Sequence, residues 1–386
     1  MRQEPEHVTM LRDSLRRFVA AECPKEKVRE WDRQRHFPRE AFGRLAELGV
    51  CGLTFDADYG GAGRDIVAAV AVVEELSRRG LSLAGPYIHT AFYAGMNLEA
   101  SGSTAQKESL LPLVAEGRMI FAYGLSEPDI GADLAGVRTR AERRGDSILI
   151  NGAKRWCTAA GLADYILCLC NSDPAGARYA NLSLVLVPAR TKGITIRPIE
   201  HMGIGYAETT DVMFDDVEVP LEHILGGPQF WNRGWETLAG PALDVEKIEV
   251  AAMALGIGEA ALQDAIEYSS ERRQFGKPIG AYQAVRHTLS QCATEMLACR
   301  LMVYHAASLA NERRPCSTES SMAKLFVTET ARKVVLQCQE VLGAYGVADE
   351  YDMRRNVSDI LVMPIIGGSS NIQRNNIAKK LGLPAR

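Results

Sequence analysis

Three long helical stretches near the C-terminus constrain what this chain can fold into more than any other feature. They cover residues 244–273, 283–311 and 318–341. Helices of this length are stable in globular proteins when they pack side by side, so they predict a bundle. The first stretch is rich in alanine and glycine between residues 251 and 258, and such small side chains allow close helix packing.

Two regions with different periodicity precede the bundle. Residues 1–118 repeat apolar side chains at helical spacing, whereas between 119 and 225 the period shortens toward two, which is typical of strands. Ser147–Gly152 is expected to be a strand ending in an Asn-Gly turn. Further strands are predicted at 163–170, 182–187 and 212–219. We therefore predict an α+β protein with an N-terminal α-helical domain (1–118), a middle β-domain (119–225) and a C-terminal helical domain (232–386).

Composition excludes several classes of partner. The 386 residues carry a formal net charge of −4, with no basic stripe for nucleic acid and no apolar run long enough to cross a bilayer. The helical pattern begins close to Met1, which predicts a cytoplasmic protein without a signal peptide. The nine cysteines are scattered and odd in number, and the seven histidines are dispersed, so no metal site is expected.

Three separated motifs carry the chemistry. Tyr123–Asp133 contains a turn with a hydroxyl, two carboxylates and accessible backbone amides, which could hold a polar cofactor or form a surface loop. Asn151–Thr158 follows it, and Arg272–Ile279 lies far downstream. In this order the motifs resemble the acyl-CoA dehydrogenase family of flavoenzymes, and the resemblance continues to the segment ending at Arg374.

The resemblance implies a helix–sheet–helix architecture with a C-terminal four-helix bundle, and FAD as cofactor. Tyr123, Leu125 and Ser126 would line the isoalloxazine, with Trp156 and Thr158 beside it. Arg272, Gln274 and Phe275 would reach the FAD pyrophosphate and adenosine of a neighbouring subunit, which implies a homotetramer (a dimer of dimers) or a hetero-oligomer with a paralogue. The remaining cofactor contacts that the resemblance implies are Glu340, Gly343, Ser369 and Asn371.

The sequence departs from the family pattern in the segment that the resemblance places near the adenosine of FAD. A glutamate, Glu340, stands where glutamine is common, and Ala344 replaces the second of two glycines. An added acid near a diphosphate repels it unless turned away, and a methyl group limits backbone approach. The sequence therefore predicts a weakened FAD affinity or a shifted loop.

The catalytic base is the other departure. The family commonly has a glutamate where this chain has Gly367, and glycine cannot remove a proton. Long-chain and isovaleryl-CoA dehydrogenases instead place a glutamate at the start of the first C-terminal helix, where this chain has Glu246. Locally, Glu246 also fits a purely structural role, because an acid following an N-cap at Asp244 favours the helix dipole.

The resemblance assigns the remaining substrate contacts as well. The Gly367 backbone N–H would polarise the thioester carbonyl. Ala132, Asp244, Lys247 and Gly368 would contact the substrate, with Lys247 replacing the usual arginine and Ala132 replacing a serine that many relatives have.

The predicted activity is FAD-dependent α,β-dehydrogenation of an acyl-CoA, with electron-transfer flavoprotein as electron acceptor. Ile366 and Gly367 leave an apolar wall that favours a bulky, branched or cyclic acyl group. Three alternatives stay open: a catalytically silent subunit that completes the FAD site of a paralogue, a dehydrogenase acting on carrier-protein thioesters, and a redox-neutral eliminase.

Overall fold

The computed structural model describes residues 4–384, so the predicted domain limits at Met1 and Arg386 lie outside the described part. Helices form both ends of the chain and strands form its middle, which confirms the predicted α+β arrangement. The N-terminal helices are α1 (Glu6–Glu22), α2 (Lys25–Gln34), α3 (Arg39–Ala46), α4 (Ile66–Arg79), α5 (Leu81–Tyr87), a π-helical segment (Ile88–Met96), α6 (Asn97–Ser101) and α7 (Thr104–Ala115).

A seven-stranded sheet forms the middle region. Its strands are β1 (Phe121–Gly124), β2 (Arg140–Arg144), β3 (Ser147–Thr158), β4 (Tyr165–Asn171), β5 (Leu182–Pro188), β6 (Ile194–Ile199) and β7 (Thr209–Pro220). β4 pairs in parallel with β1 and antiparallel with β5, and it meets β2 at one residue pair. β3 pairs antiparallel with β2 and β7, and β7 pairs with β6.

The predicted Asn-Gly turn after residue 150 is wrong. β3 continues through Asn151 and Gly152 to Thr158, and its pairing with β7 shifts register between residues 150 and 152. Gly152 has φ +148°, and a Cβ there would lie 2.7 Å from the Thr139 Cα. The glycine therefore serves a bulge with close backbone approach rather than a hairpin, and pairing with β7 decides between the two.

The C-terminal region is built around α9, which spans Pro241–Glu271. The other elements are α8 (Gly234–Leu238), the short strands β8 (Arg273–Gln274) and β9 (Lys277–Pro278), α10 (Gln283–Asn311), α11 (Ser317–Leu342), α12 (Met353–Val362) and α13 (Ser370–Lys380). α9 packs against α10, α11 and α12, and α13 packs on α11. The three long helices predicted from the sequence are therefore confirmed.

The N-terminal helices pack directly on the bundle. α4 lies against α9 so closely that a Cβ on Gly256 would come within 2.5 Å of the Glu74 carbonyl oxygen. The fully buried Glu74 carboxylate accepts hydrogen bonds from Arg12 Nη2 at 2.9 Å and from Arg300 Nη2 at 2.5 Å, joining α1, α4 and α10. This packing holds α9 in a defined position between the two helical regions.

Candidate active site

The candidate base, Glu246, lies on α9 inside the protein. α9 begins at Pro241 with Gly240 as N-cap, so the predicted N-cap at Asp244 is wrong and Glu246 falls in the second turn. The influence of the helix dipole fades beyond the first turn. Only 7% of Glu246 is exposed, and burial raises its pKa to about 7 against a smaller lowering by Lys247. A carboxyl group with this pKa is suited to accept a proton near neutral pH.

Side chains of α9 and α11 hold the Lys247 ammonium group. Its ammonium donates to Asp244 Oδ1 at 2.7 Å and to Ser321 Oγ at 3.3 Å, which connects α9 to α11. Lys247 is buried, whereas the Asp244 side chain keeps 22% of its surface exposed. Of these two predicted substrate contacts, Asp244 is therefore the more accessible.

Two stacked tyrosines lie beside Glu246. Tyr123, at the end of β1, stacks on Tyr93 of the π-helical segment with ring centroids 3.9 Å apart and planes within 7°. Asn97 Nδ2 donates to the Tyr123 hydroxyl oxygen at 2.8 Å, which fixes the ring. Burial, followed by the charge of Glu246, raises the pKa of Tyr123. The sequence singled out Tyr123 but gave no signal for Tyr93 or Asn97.

The turn after β1 presents fewer polar groups than its sequence indicates. Glu127 points inward, where its carboxylate accepts from Lys154 Nζ at 2.9 Å and from the Arg138 and Thr139 backbone N–H groups at 2.8 Å. One of the two carboxylates expected at this turn is therefore structural. Leu125 and Ser126 stay half-buried at the strand end, and Ala132 is exposed further along.

A second irregularity in β3 leaves the Trp156 side chain exposed to solvent. The register with β7 shifts again between residues 154 and 157, and Trp156 has φ +66° with 55% of its surface exposed. The Arg155 guanidinium lies over its ring, 5.0 Å from the centroid. Thr158, at the end of the strand, shares a 3.0 Å hydrogen bond with the Thr209 hydroxyl. The exposed Trp156 indole offers a flat surface for stacking, and the Thr158 hydroxyl offers a hydrogen-bond donor, which together suit a planar heterocycle.

The third motif forms a hairpin at the far end of α9. β8 and β9 pair antiparallel, and Phe275 stands at the tip with 94% of its surface exposed. Gln274 and Arg272 are also exposed, and the Arg272 guanidinium lies over the Tyr345 ring at 5.7 Å. The 26 helical positions from Glu246 to Arg272 correspond to about 39 Å along the axis. The base and the hairpin therefore lie at opposite ends of one helix.

Glu340 and Gly343 lie at the end of α11, on the same side as the hairpin. Both residues are exposed, and Gly343 has φ +61° where the helix ends. The Arg272–Tyr345 contact brings this helix end beside the hairpin, so the structure groups these predicted adenosine-side residues together.

The C-terminal loop meets the base-bearing helix. Gly367 has φ +59°, and a Cβ there would lie 2.9 Å from Val250 Cγ2, one turn beyond Glu246 on α9. Gln373 Nε2 donates to the carbonyl oxygens of Gly367 and Gly368 at 3.2 and 2.9 Å. The Ser369 hydroxyl accepts from the Ile372 N–H and caps α13, and Asn371 is exposed. The loop is thus held against α9 by packing and by its own helix.

Membrane-spanning helices and metal-binding clusters were the two remaining features that the sequence bears on. No helix among residues 4–384 is long and apolar enough to cross a membrane. In the same residues no cluster of three or more histidine, cysteine, aspartate or glutamate side chains is arranged to bind a metal, and all nine cysteines are buried thiols.

The order of a helical region, a sheet and a second helical region agrees with the comparison with known proteins. The models for the N-terminal, middle and C-terminal domains of acyl-CoA dehydrogenase match residues 5–118, 122–217 and 232–382. The probable acyl-CoA dehydrogenase YngJ of Bacillus subtilis is 33% identical over 373 residues, covering 96% of this chain and 97% of its own length.

Two further relatives extend the comparison. The caffeyl-CoA reductase-Etf complex subunit CarC of Acetobacterium woodii is 33% identical over 375 residues, covering 96% of this chain and 97% of its own. The structure of butyryl-CoA dehydrogenase from Megasphaera elsdenii superposes with a TM-score of 0.93 at 30% identity, covering 98% of this chain and 99% of that one. The chain belongs to the acyl-CoA dehydrogenase family, whose members are FAD-dependent oxidoreductases.

The residues present fit FAD. The exposed Trp156 ring and the nearby Thr158 and Ser126 hydroxyls would hold the isoalloxazine, and the exposed Phe275 tip with Arg272 would hold an adenosine diphosphate end. Glu127, the acid nearest these hydroxyls in sequence, is turned inward and neutralised by Lys154, so it does not repel a phosphate.

Proposed function

We propose that this protein catalyses the α,β-dehydrogenation of an acyl-CoA thioester and that Glu246 removes the α-proton. The observation that carries the proposal is a buried carboxyl group with a pKa of about 7, next to Tyr123 of the first motif. Reaction at the α-carbon needs a proton acceptor that is deprotonated at neutral pH and yet basic, and a pKa near 7 meets both conditions. FAD, when bound, supplies the hydride acceptor for the β-hydrogen.

The loop at Gly367 would orient the thioester. Gln373 Nε2 donates to the carbonyls of Gly367 and Gly368, which restrains the loop that carries the Gly367 N–H. A fixed N–H donor at the thioester oxygen stabilises the negative charge that develops as the proton leaves. The base and this donor thus come from α9 and from the loop that packs on it.

The acyl group that we propose is bulky, branched or cyclic. Gly367 places no side chain where a carboxylate commonly stands, and the half-buried Ile366 flanks it. We also propose electron-transfer flavoprotein as the electron acceptor. The CarC relative, which is named as a subunit of a complex with Etf, supports this choice. That relative is named a reductase, so the direction of the reaction in this protein is part of the proposal.

The proposal favours a catalytic subunit over a silent one that only completes a paralogue's site. A silent subunit needs no buried base, whereas Glu246 is only 7% exposed, and burial raises its pKa against a smaller lowering by Lys247. Expression of the protein alone, followed by size-exclusion chromatography and flavin absorbance, tests this choice. A colourless product unable to bind added FAD would favour the silent subunit.

The base assignment is tested by Glu246→Gln. We expect flavin reduction by a panel of acyl-CoAs under anaerobic conditions to slow on the order of 10³-fold, because the amide cannot accept the proton. FAD content should stay unchanged, since the side chain keeps its shape. Glu267→Gln is the matched control, because Glu267 is an exposed glutamate on the same helix. Parental rates in Glu246→Gln would disprove the assignment.

A further inference from the structure

A second glutamate of α9, Glu249, lies one turn beyond Glu246 and has no partner. Residues three apart share a face of a helix, so both carboxyl groups point to the same side of α9. Glu249 is 0% exposed, and within residues 4–384 neither of its carboxyl oxygens has a hydrogen-bond partner. An unsatisfied buried carboxyl group destabilises a protein, so its presence calls for an explanation.

Apart from the candidate base Glu246, the other buried glutamates among residues 4–384 are paired. Glu74 accepts from Arg12, Arg300 and Tyr304, and Glu127 accepts from Lys154 and two backbone N–H groups. A glutamate with a structural role is therefore given partners in this protein. Glu249 is the exception, and its position next to the candidate base indicates that a ligand supplies the partner.

The side chains around Glu249 are phenolic rather than purely apolar. Burial, with the added charge of Glu249, raises the pKa values of Tyr93, Tyr123 and Tyr206, and the π-helical segment that carries Tyr93 packs against α9. Tyr206 is fixed in position, because its ring packs where a Cβ on Gly85 would otherwise lie. The protein interior beside α9 thus combines a buried carboxyl group with several aromatic hydroxyls.

His89 determines which way the Tyr206 hydroxyl points. A carbonyl can only accept, so His89 Nδ1–H donates to the Phe121 carbonyl at 2.7 Å. Burial lowers the pKa of His89 to about 4, so the ring is neutral and Nε2 accepts from the Tyr206 O–H at 2.8 Å. With its proton directed at His89, the Tyr206 oxygen can accept a hydrogen bond through its lone pairs.

The protonation states of Glu246 and Glu249 determine which hydrogen bonds Glu249 can make. Two carboxylates one turn apart in a buried site repel each other, and one of them keeps its proton. Burial, with the added effect of Glu246, raises the pKa of Glu249 well above the ordinary value. Glu249 is then a neutral donor and acceptor while Glu246 is the anion, as the chemistry requires. A neutral hydroxyl group complements such a pair, because it accepts from Glu249 and donates to Tyr206.

We propose that Glu249 is a specificity-determining residue that hydrogen-bonds a hydroxyl group on the acyl chain, beyond its β-carbon. The preferred substrate is then a hydroxylated acyl-CoA rather than a plain aliphatic one, and this assignment rests on the proposed dehydrogenase function. Glu249 lies about 4.5 Å further along the helix axis than Glu246. Because Glu246 faces the α-carbon of the acyl group in this proposal, the hydroxyl that Glu249 binds lies a few bonds past that carbon.

The test measures binding without turnover. In the flavin-loaded Glu246→Gln protein, titration calorimetry compares hexanoyl-CoA with its 4-, 5- and 6-hydroxy derivatives. We expect at least one hydroxy derivative to bind about tenfold more tightly, as one added hydrogen bond gives. Adding Glu249→Leu should reduce that preference to less than about twofold, whereas Glu249→Gln should retain most of it. Equal affinity for all four compounds would overturn the proposal.

Thermal unfolding of the unliganded protein separates this role from a structural one. Glu249→Leu alone removes an unpaired carboxyl group and fills similar volume, so its Tm should rise by a few degrees. A fall in Tm would mean that Glu249 stabilises the fold, and the proposal would be wrong. Failure of the dehydrogenase function itself is distinguishable, because it shows as a flavin that no acyl-CoA reduces in the wild-type protein.

Discussion

At the scale of single residues, burial in the protein interior gives the proposed base, Glu246, its raised pKa. Within residues 4–384 no cation is hydrogen-bonded to the Glu246 carboxyl group, and Lys247, whose charge lowers its pKa, is itself paired with Asp244. Desolvation therefore dominates, and the pKa rises from 4.5 to about 7. The same burial keeps the group protonated below neutrality, which makes the activity sensitive to pH.

The pH dependence of flavin reduction follows from this pKa. Because only deprotonated Glu246 accepts the α-proton, kcat/KM should rise tenfold per pH unit below about 7 and level off above it. Stopped-flow measurements between pH 5.5 and 9 check the profile. Lys247→Met removes the charge that lowers the pKa, so the midpoint should move to higher pH. A midpoint near 4.5 would show that burial does not control this group.

Gly367 explains why the base is not simply replaceable at the C-terminal loop. Its φ of +59° is strained for a side-chain-bearing residue, by about 1–3 kcal/mol, and its Cβ direction is filled by Val250. We expect Gly367→Glu to leave the Glu246→Gln protein inactive. Adding Val250→Ala makes room for the new side chain and should restore measurable flavin reduction. Equal recovery with and without Val250→Ala would contradict this steric explanation.

At the scale of elements, a buried ion pair joins the turn after β1 to the bulged strand β3. Lys154 is fully buried and donates to Glu127 at 2.9 Å and to the Leu125 carbonyl at 3.1 Å. Lys154 directly precedes the register shift that exposes Trp156. The ion pair therefore positions the two segments that the family resemblance assigns to the flavin ring.

Breaking this pair should destabilise the protein. Lys154→Met leaves the Glu127 carboxylate buried without its cation, which typically costs about 3–5 kcal/mol in the free energy of unfolding. Arg155→Met is a matched control on the same strand, because Arg155 pairs with Asp211 at a half-exposed site and should cost less than about 1 kcal/mol. Urea denaturation measures both. Similar losses for the two variants would mean that the buried pair has no special role.

At the scale of the whole molecule, the length of α9 separates the two halves of the candidate cofactor site. Its 31 residues carry Glu246 near one end and lead into the hairpin at the other. Phe275 is nearly fully exposed at the hairpin tip, although an exposed phenylalanine is unfavourable in water. A neighbouring subunit would cover it, so we propose that each site is completed by the hairpin of another copy.

The hairpin is tested by Phe275→Ser. If the tip contributes to a neighbour's FAD site, this variant should lose FAD several-fold more readily on dilution, while its circular dichroism stays unchanged. Leu381→Ser is the control, since Leu381 is an apolar residue 64% exposed near the end of α13. FAD fluorescence after dilution gives the readout, and size-exclusion chromatography reports the oligomeric state. Equal FAD retention in both variants would argue against a shared site.

Much of the fold could be predicted from local patterns. Periodicity identified the long helices and the region of strands, and the paired departures at Gly367 and Glu246 pointed to α9 as the source of the base. These features depend on residues near one another in the chain. β1, β2 and β6 were missed because they are short or half-exposed, and β1 also gains its stability by pairing with β4, far along the chain.

Tertiary structure alone decided the polarity of the pocket and the direction of its side chains. Long-range pairing with Lys154 turned Glu127 inward, and helix packing brought the segment that carries Tyr93 against α9. Nothing in the neighbouring sequence distinguishes Glu249 from any surface glutamate of a helix. Its burial depends on contacts between distant segments, and such contacts exist only once the helices have packed.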